Sequence, residues 1–303
     1  MIKLLVVFAV ACMSTSSIAV RFASAPSVWL ALVRLLLATG MLVPLALTRY
    51  RKELASLDRR VFLSYAASGV LLGLHFLCYF ESVKNTSIAA AVVLACSEVF
   101  FVAVGARIFF REPISVQGWG GIIVAFLGCL LVTTAKNTHS PDALKGNLLG
   151  LLAAALIAVH TLIGKRSRKA GSTTAYTFVA YAFAAITLGI ASLLLQVPIV
   201  GQAPINWLSA LWLAAVCTML GHSMISYSLK FERASFIAST KLLAPVFAAL
   251  LGWVLFDEIP AVQVVIGSIV IIASVWYYSR QCAITKIVEV NVDAAEDHRI
   301  HTD

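Results

Sequence analysis

Seven side chains stand out because they carry charge, proton or hydrogen-bonding capacity inside long apolar runs: Glu98, Lys241, His75, His222, Arg34, Tyr79 and Tyr227. An ionisable group in mid-bilayer costs about 2.5 to 3.5 kcal/mol on insertion scales, so each needs a partner, a wet cavity or a task. Glu98 and Lys241 have opposite signs and form the natural pair. Such a pair either competes with a substrate or a proton for its own partner or is a plain ion pair that fixes packing. His75 and His222 offer imidazoles that titrate near neutrality and suit a coupling proton or an anionic ligand. Each could equally bond a backbone carbonyl or a serine between helices. Tyr79 lies four residues after His75, and Tyr227 four after Ser223, so regular helical turns place rings beside the imidazoles. Arg34 suits bidentate capture of a carboxylate, or else snorkels outward or holds Glu81.

These residues must be positioned by membrane helices. Of the 303 residues, 61% are hydrophobic and 12% charged, and the mean hydropathy is +0.94, far beyond a soluble domain. About 20 apolar residues cross the hydrocarbon layer. Ten stretches qualify, at 2–19, 28–47, 61–80, 88–109, 116–134, 148–164, 176–195, 207–229, 234–256 and 261–278. They are too long and too continuously apolar for barrel strands. The first could also be read as a cleavable secretory signal, since Lys3, an apolar run and Ala23-Ser24-Ala25 follow that order.

Positive loops stay on the cytoplasmic side. With the amino terminus inside, 17 of the 23 Lys and Arg residues fall on that side, against Arg21, Lys84, Lys136 and Lys145 outside. Both termini are therefore expected in the cytoplasm, with a polar tail at 281–303. The net charge of +9 is spread over these short clusters, so nucleic acid is not an expected partner. The six cysteines are scattered without a metal-ligand spacing and read as small buried hydrophobes. Trp29, Trp207 and Tyr278 fall near span ends as interface anchors, Gly146 and Gly150 make a G-x-x-x-G contact motif, and His160, beside Lys165 and Arg166, reads as interfacial.

A shift of 146 residues pairs Ser82 with Ser228, Lys84 with Lys230, Phe110 with Phe256, Glu112 with Glu258, Gln117 with Gln263 and Gly121 with Gly267, without gaps. Two five-helix copies result, 1–135 and 147–280, joined by an external linker at 136–146. Five is odd, so the copies enter the membrane in opposite senses. Such inverted repeats rock about a shared midplane site in secondary transporters. The fold class expected is thus all-α, with ten transmembrane helices as two inverted five-helix repeats.

Residues Lys84 to Ser87 leading into a small-residue helix, Phe110-Arg111-Glu112-Pro113, Phe256-Asp257-Glu258 and the early Arg34 resemble the drug/metabolite transporter superfamily, EamA-type permeases. The resemblance covers nearly the whole chain. It implies a central cavity lined by helices one to four and six to nine, with five and ten peripheral, and it fixes no substrate. Glu98 stands near the place where relatives often carry a proline, a feature that Pro245 keeps in the ninth helix.

The expected activity is secondary transport of a small polar metabolite, such as an amino acid, by alternating access in a bacterial inner membrane, with export the expected direction and protons the candidate coupling ion. No nucleotide-binding loop, H-E-x-x-H or G-x-S-x-G appears, so neither ATP use nor catalysis is expected, and no cofactor or metal. The partners are the lipid bilayer and a small-molecule substrate, with a homodimer left open. An intramembrane enzyme and a lipid flippase or scaffold are the alternatives.

Overall fold

The computed structural model describes residues 2–110, 116–133, 142–167, 171–228, 231, 241, 243–274, 276–277 and 280, and they are helical with no strand among them. In chain order the long segments are α1 (Ile2–Phe22), α2 (Ser27–Thr48), α3 (Arg59–Asn85), α4 (Ile88–Phe109), α5 (Val116–Thr133), α6 (Ala143–Ser167), α7 (Thr173–Leu194), α8 (Pro204–Ser228), α9 (Ala244–Phe256) and α10 (Val262–Ser274). Among the described residues seven, α1 to α4 and α6 to α8, are long and apolar enough to cross a bilayer. The expected stretches 234–240 and 278 lie outside the described residues, as do 136–141 of the linker and the tail. The linker is shorter than its expected 136–146, because α6 already begins at Ala143.

Polar residues delimit these helices as elementary capping demands. Asp58, Ser87 and Ser172 accept from the amides of Arg60, Ala90 and Ala175, capping α3, α4 and α7. Pro204 opens α8, where a missing N–H is harmless. Asp257 closes α9 in the left-handed region at φ 54°.

Three spans are irregular. Thr15 bends α1, its hydroxyl donating back to the carbonyl of Cys12 at 2.8 Å. Ser97 breaks α4 into Ile88–Cys96 and a second half that starts at Glu98. In α8 the residues Leu213–Ser223 wind in wide π turns, and Thr218 donates to the carbonyl of Leu213, five residues earlier, at 2.8 Å. Such turns gather at functional sites. The apolar stretches from which the spans are read carry no sign of these interruptions.

The largest core lies where α2, α3, α7 and α8 meet, around Leu30, Leu35, Leu72, Phe76, Leu188 and Leu213. The principal helix contacts are α3 with α6 and α7, α2 with α7 and α8, α1 with α8 and α9, and α4 with α6 and α9. Small residues allow the closest of them. A Cβ at Gly69 would strike the carbonyl oxygen of Ala180, and one at Gly73 would lie 2.9 Å from that of Ala184. Gly146 and Gly150 do the same for α6 against Asn85 and Ser82 of α3. The first helix is an integral part of this bundle, its Val6, Ala9 and Val10 buried with Ile225. Outward-facing Leu36, Leu63, Phe109, Ile186, Leu194 and Val254 are exposed, the surface a bilayer covers.

Candidate functional site

The irregular helices converge on one cavity of about 100 Å³. Its wall comes from α1 (Val10, Met13, Ser14, Ser16), α3 (His75, Phe76, Tyr79), α4 (Val92, Ala95, Cys96, Glu98, Val99), α6 (Ile157), α8 (His222), Lys241 ahead of α9, and Ala244 at the start of α9. The wall is mainly apolar with a few convergent polar groups, the composition of a small-molecule site.

The break at Ser97 places Glu98 in the first turn of a half-helix, where exposed amides favour a negative charge. Its Oε1 lies 2.5 Å from Nζ of Lys241, with side chains 14% and 21% exposed. No proline is needed for this break, so the departure from the family pattern at Glu98 coincides with a helix interruption rather than removing one. Among the described residues the pair stands in the cavity wall.

His75 Nδ1 lies 2.8 Å from the carbonyl oxygen of Ala153 on α6. A carbonyl only accepts, so Nδ1 carries the hydrogen and a neutral ring keeps Nε2 as an acceptor. The Tyr79 ring stacks on this imidazole at 6.0 Å and 4°. His222 meets Phe76 edge-on at 5.4 Å. Thus Glu98, Lys241, His75, His222 and Tyr79 are brought together around one space.

Two expected site residues are not in that wall. Tyr227 is 45% exposed and packs its ring on Phe231 at 5.0 Å. The π turns that precede it alter the angular register on which its placement beside His222 depended. Arg34 is 1% exposed and lies behind the wall, neither snorkelling nor reaching Glu81, which instead accepts from Asn85 at 3.1 Å. Its Nε donates to Thr218 at 2.7 Å, and its guanidinium lies 3.9 Å from the Phe76 ring centroid. Helices two and seven, expected to line the cavity, contribute no wall residue.

Two interfacial assignments also change. Trp29 is fully buried, donates to the carbonyl of Ile199 at 2.9 Å and meets Trp207 edge-on, so it staples α2 to the α7–α8 connection. His160 is half-buried beside Ser68, with Nδ1 and the hydroxyl 2.8 Å apart, rather than facing an interface.

A polar latch that sequence reasoning missed closes one end of the bundle. Arg21, at the end of α1, pairs with Glu258 at 2.5 Å and donates to the carbonyls of Val83 and Thr86, both at 2.7 Å. Glu258 accepts from the amide of Ile88, capping α4, at 2.9 Å. Lys84 donates to the carbonyl of Ala25, and Phe22 packs on Phe256 at 4.9 Å. Arg21 was legible in the sequence only as a loop charge, and Lys84 and Glu258 only as repeat and motif residues, because nothing in a linear spacing shows that residues 21 and 258 meet.

An apolar helical bundle whose broken helices wall a chamber holding an ion pair and two imidazoles fits a class, the multi-pass membrane transporters. Within it, the chain matches the EamA-like transporter family over residues 1–134 and 144–280 and belongs to that family. It is similar to the pseudopaline exporter CntI of Pseudomonas aeruginosa, 27% identical over 70% of this chain and 73% of that protein. The uncharacterized transporters YdfC and YxxF of Bacillus subtilis are 25% and 29% identical, each over 82% of this chain and 80% and 79% of their own lengths. A crystal structure shares the fold with a TM-score of 0.65 at 17% identity, over 94% of this chain and 98% of that one. The family and these relatives are named as transporters, not as enzymes.

Proposed function

We propose that the protein is a secondary transporter that carries a small polar metabolite, an amino acid or a related compound, through the chamber around Glu98, Lys241, His75, His222 and Tyr79. The observation that carries this reading is the ion pair in the cavity wall, 2.5 Å long, in a wall that also holds two imidazoles. A proton or a charged cargo can compete for either member of such a pair, which couples binding to the arrangement of α4 and α9.

The reading includes two inverted five-helix repeats that alternate about the chamber. The helix contacts support it. Exchanging each helix for the one five places along turns α3–α6 into α8–α1, α3–α7 into α8–α2 and α4–α6 into α9–α1, and leaves α2–α7 and α4–α9 as they are. All of these contacts occur, as a twofold relation requires. With both termini in the cytoplasm of a bacterial inner membrane, the Arg21–Glu258 latch closes the outer end. Similarity to a protein named as an exporter supports outward movement, and protons are the proposed coupling ion.

The test is flux in liposomes holding the purified protein, using labelled amino acids and other small metabolites, neutral compounds included, with and without an imposed pH gradient. Saturable flux of at least one compound, enhanced by the gradient, is the expected result. Movement of labelled phospholipid without metabolite flux would replace this reading with lipid flipping.

A further inference from the structure

Among the described residues, Arg34 is a buried cation without a counter-ion. Its Nε is held by Thr218 at 2.7 Å, but Nη1 and Nη2 are buried and have no hydrogen-bond partner among the described residues. The neighbours are Phe76 and Phe80, whose ring centroids lie 3.9 and 5.7 Å from the guanidinium carbon. Face-on aromatic contact offsets part of the loss of water. It does not satisfy the donors on the two terminal nitrogens, and buried charges left so are ordinarily paired or functional.

The position of Phe76 makes the orphan informative. Its ring covers the guanidinium, and the same residue belongs to the cavity wall. One aromatic plate therefore stands between the free nitrogens and the chamber. With Nε anchored on the π turns of α8, the remaining two nitrogens form the parallel fork that takes a planar carboxylate through two bonds.

We infer that Arg34 is the carboxylate-reading group of the substrate site, covered by Phe76 in this state, so that the transported compound bears a carboxylate. The inference rests on the chamber being the substrate site. A carboxylate supplies the missing counter-charge in one step, whereas a doubly charged phosphate would carry an unmatched charge into a largely apolar pocket. Swinging Phe76 aside joins the fork to the chamber, and cargo binding stabilises that open arrangement.

The experiment measures thermal unfolding of the full-length protein in nanodiscs, at constant ionic strength, against amino acids, mono- and dicarboxylic acids, their matched amides and inorganic phosphate. At least one carboxylate should raise the midpoint in a saturable way while its amide does not. Phe76→Ala should lower the half-saturating concentration several-fold by removing the cover. Arg34→Met should raise it about thirty-fold or more, the effect of unpairing a desolvated charge, yet unfold no earlier without ligand, since the orphan is gone. Should that variant not fold, Thr218→Val, which frees Nε, is expected to weaken the carboxylate several-fold. The inference is overturned if acid and amide act alike, if phosphate alone stabilises, if no carboxylate does, or if the response survives the Arg34 or Thr218 change. Flux of neutral compounds in liposomes is measured separately, so transport can stand while carboxylate recognition falls.

Discussion

At the residue scale, the chemistry was legible wherever a charged side chain interrupts a long apolar stretch. Glu98, Lys241, His75 and His222 are conspicuous for that reason. What could not be read was which way a side chain faces. Tyr227 was assigned by counting regular turns, and the π turns of Leu213–Ser223 shift that count. The meeting of Arg21 with Glu258 gave no signal, because a charge near a span end is ordinarily an anchor. The ion pair supports a prediction. Glu98→Gln leaves Lys241 without its counter-charge, so flux and its response to a pH gradient should be lost, and unfolding stability should fall by about 1 to 3 kcal/mol. The second change Lys241→Met should recover most of that stability without recovering flux. Liposome flux and thermal unfolding of the wild type and the two variants check this, and an unchanged flux in Glu98→Gln would remove the pair from the mechanism.

At the scale of the element, span existence and approximate span ends follow from hydropathy, which is why α2 and α7 lie within a few residues of expectation. Interruptions are harder to see. Ser97 breaks α4 with no proline or glycine at the break, and the wide turns of α8 carry no proline at all. The G-x-x-x-G spacing was noticed at Gly146 and Gly150 but is equally present at Gly69 and Gly73, where α3 lies against α7 backbone to backbone. That packing leaves no room for a side chain. Gly69→Leu should therefore push α3 and α7 apart and lower stability by about 1 to 3 kcal/mol or more, whereas Gly40→Leu, where an added Cβ meets nothing within 4 Å, should change it little. Thermal unfolding of the two variants in one detergent separates these outcomes.

At the scale of the whole molecule, the account depends on a chamber that opens to one side at a time. The proposed duplication rests on Lys, Glu, Gln and Gly that hold one register at a shift of 146 residues, and the proposed orientation rests on loop charge. The state of the molecule was not readable, since it lies in contacts between residues more than two hundred positions apart, Arg21 with Glu258 above all. Native Cys96 lines the chamber and reports on access to it. In a variant keeping only that cysteine, a membrane-impermeant thiol reagent is applied to one face of the membrane or the other. Labelling from the cytoplasmic face is predicted for the latched protein, and Glu258→Gln should shift reactivity several-fold toward the outer face. Equal labelling from both faces, unchanged when the latch is broken, would contradict alternating access.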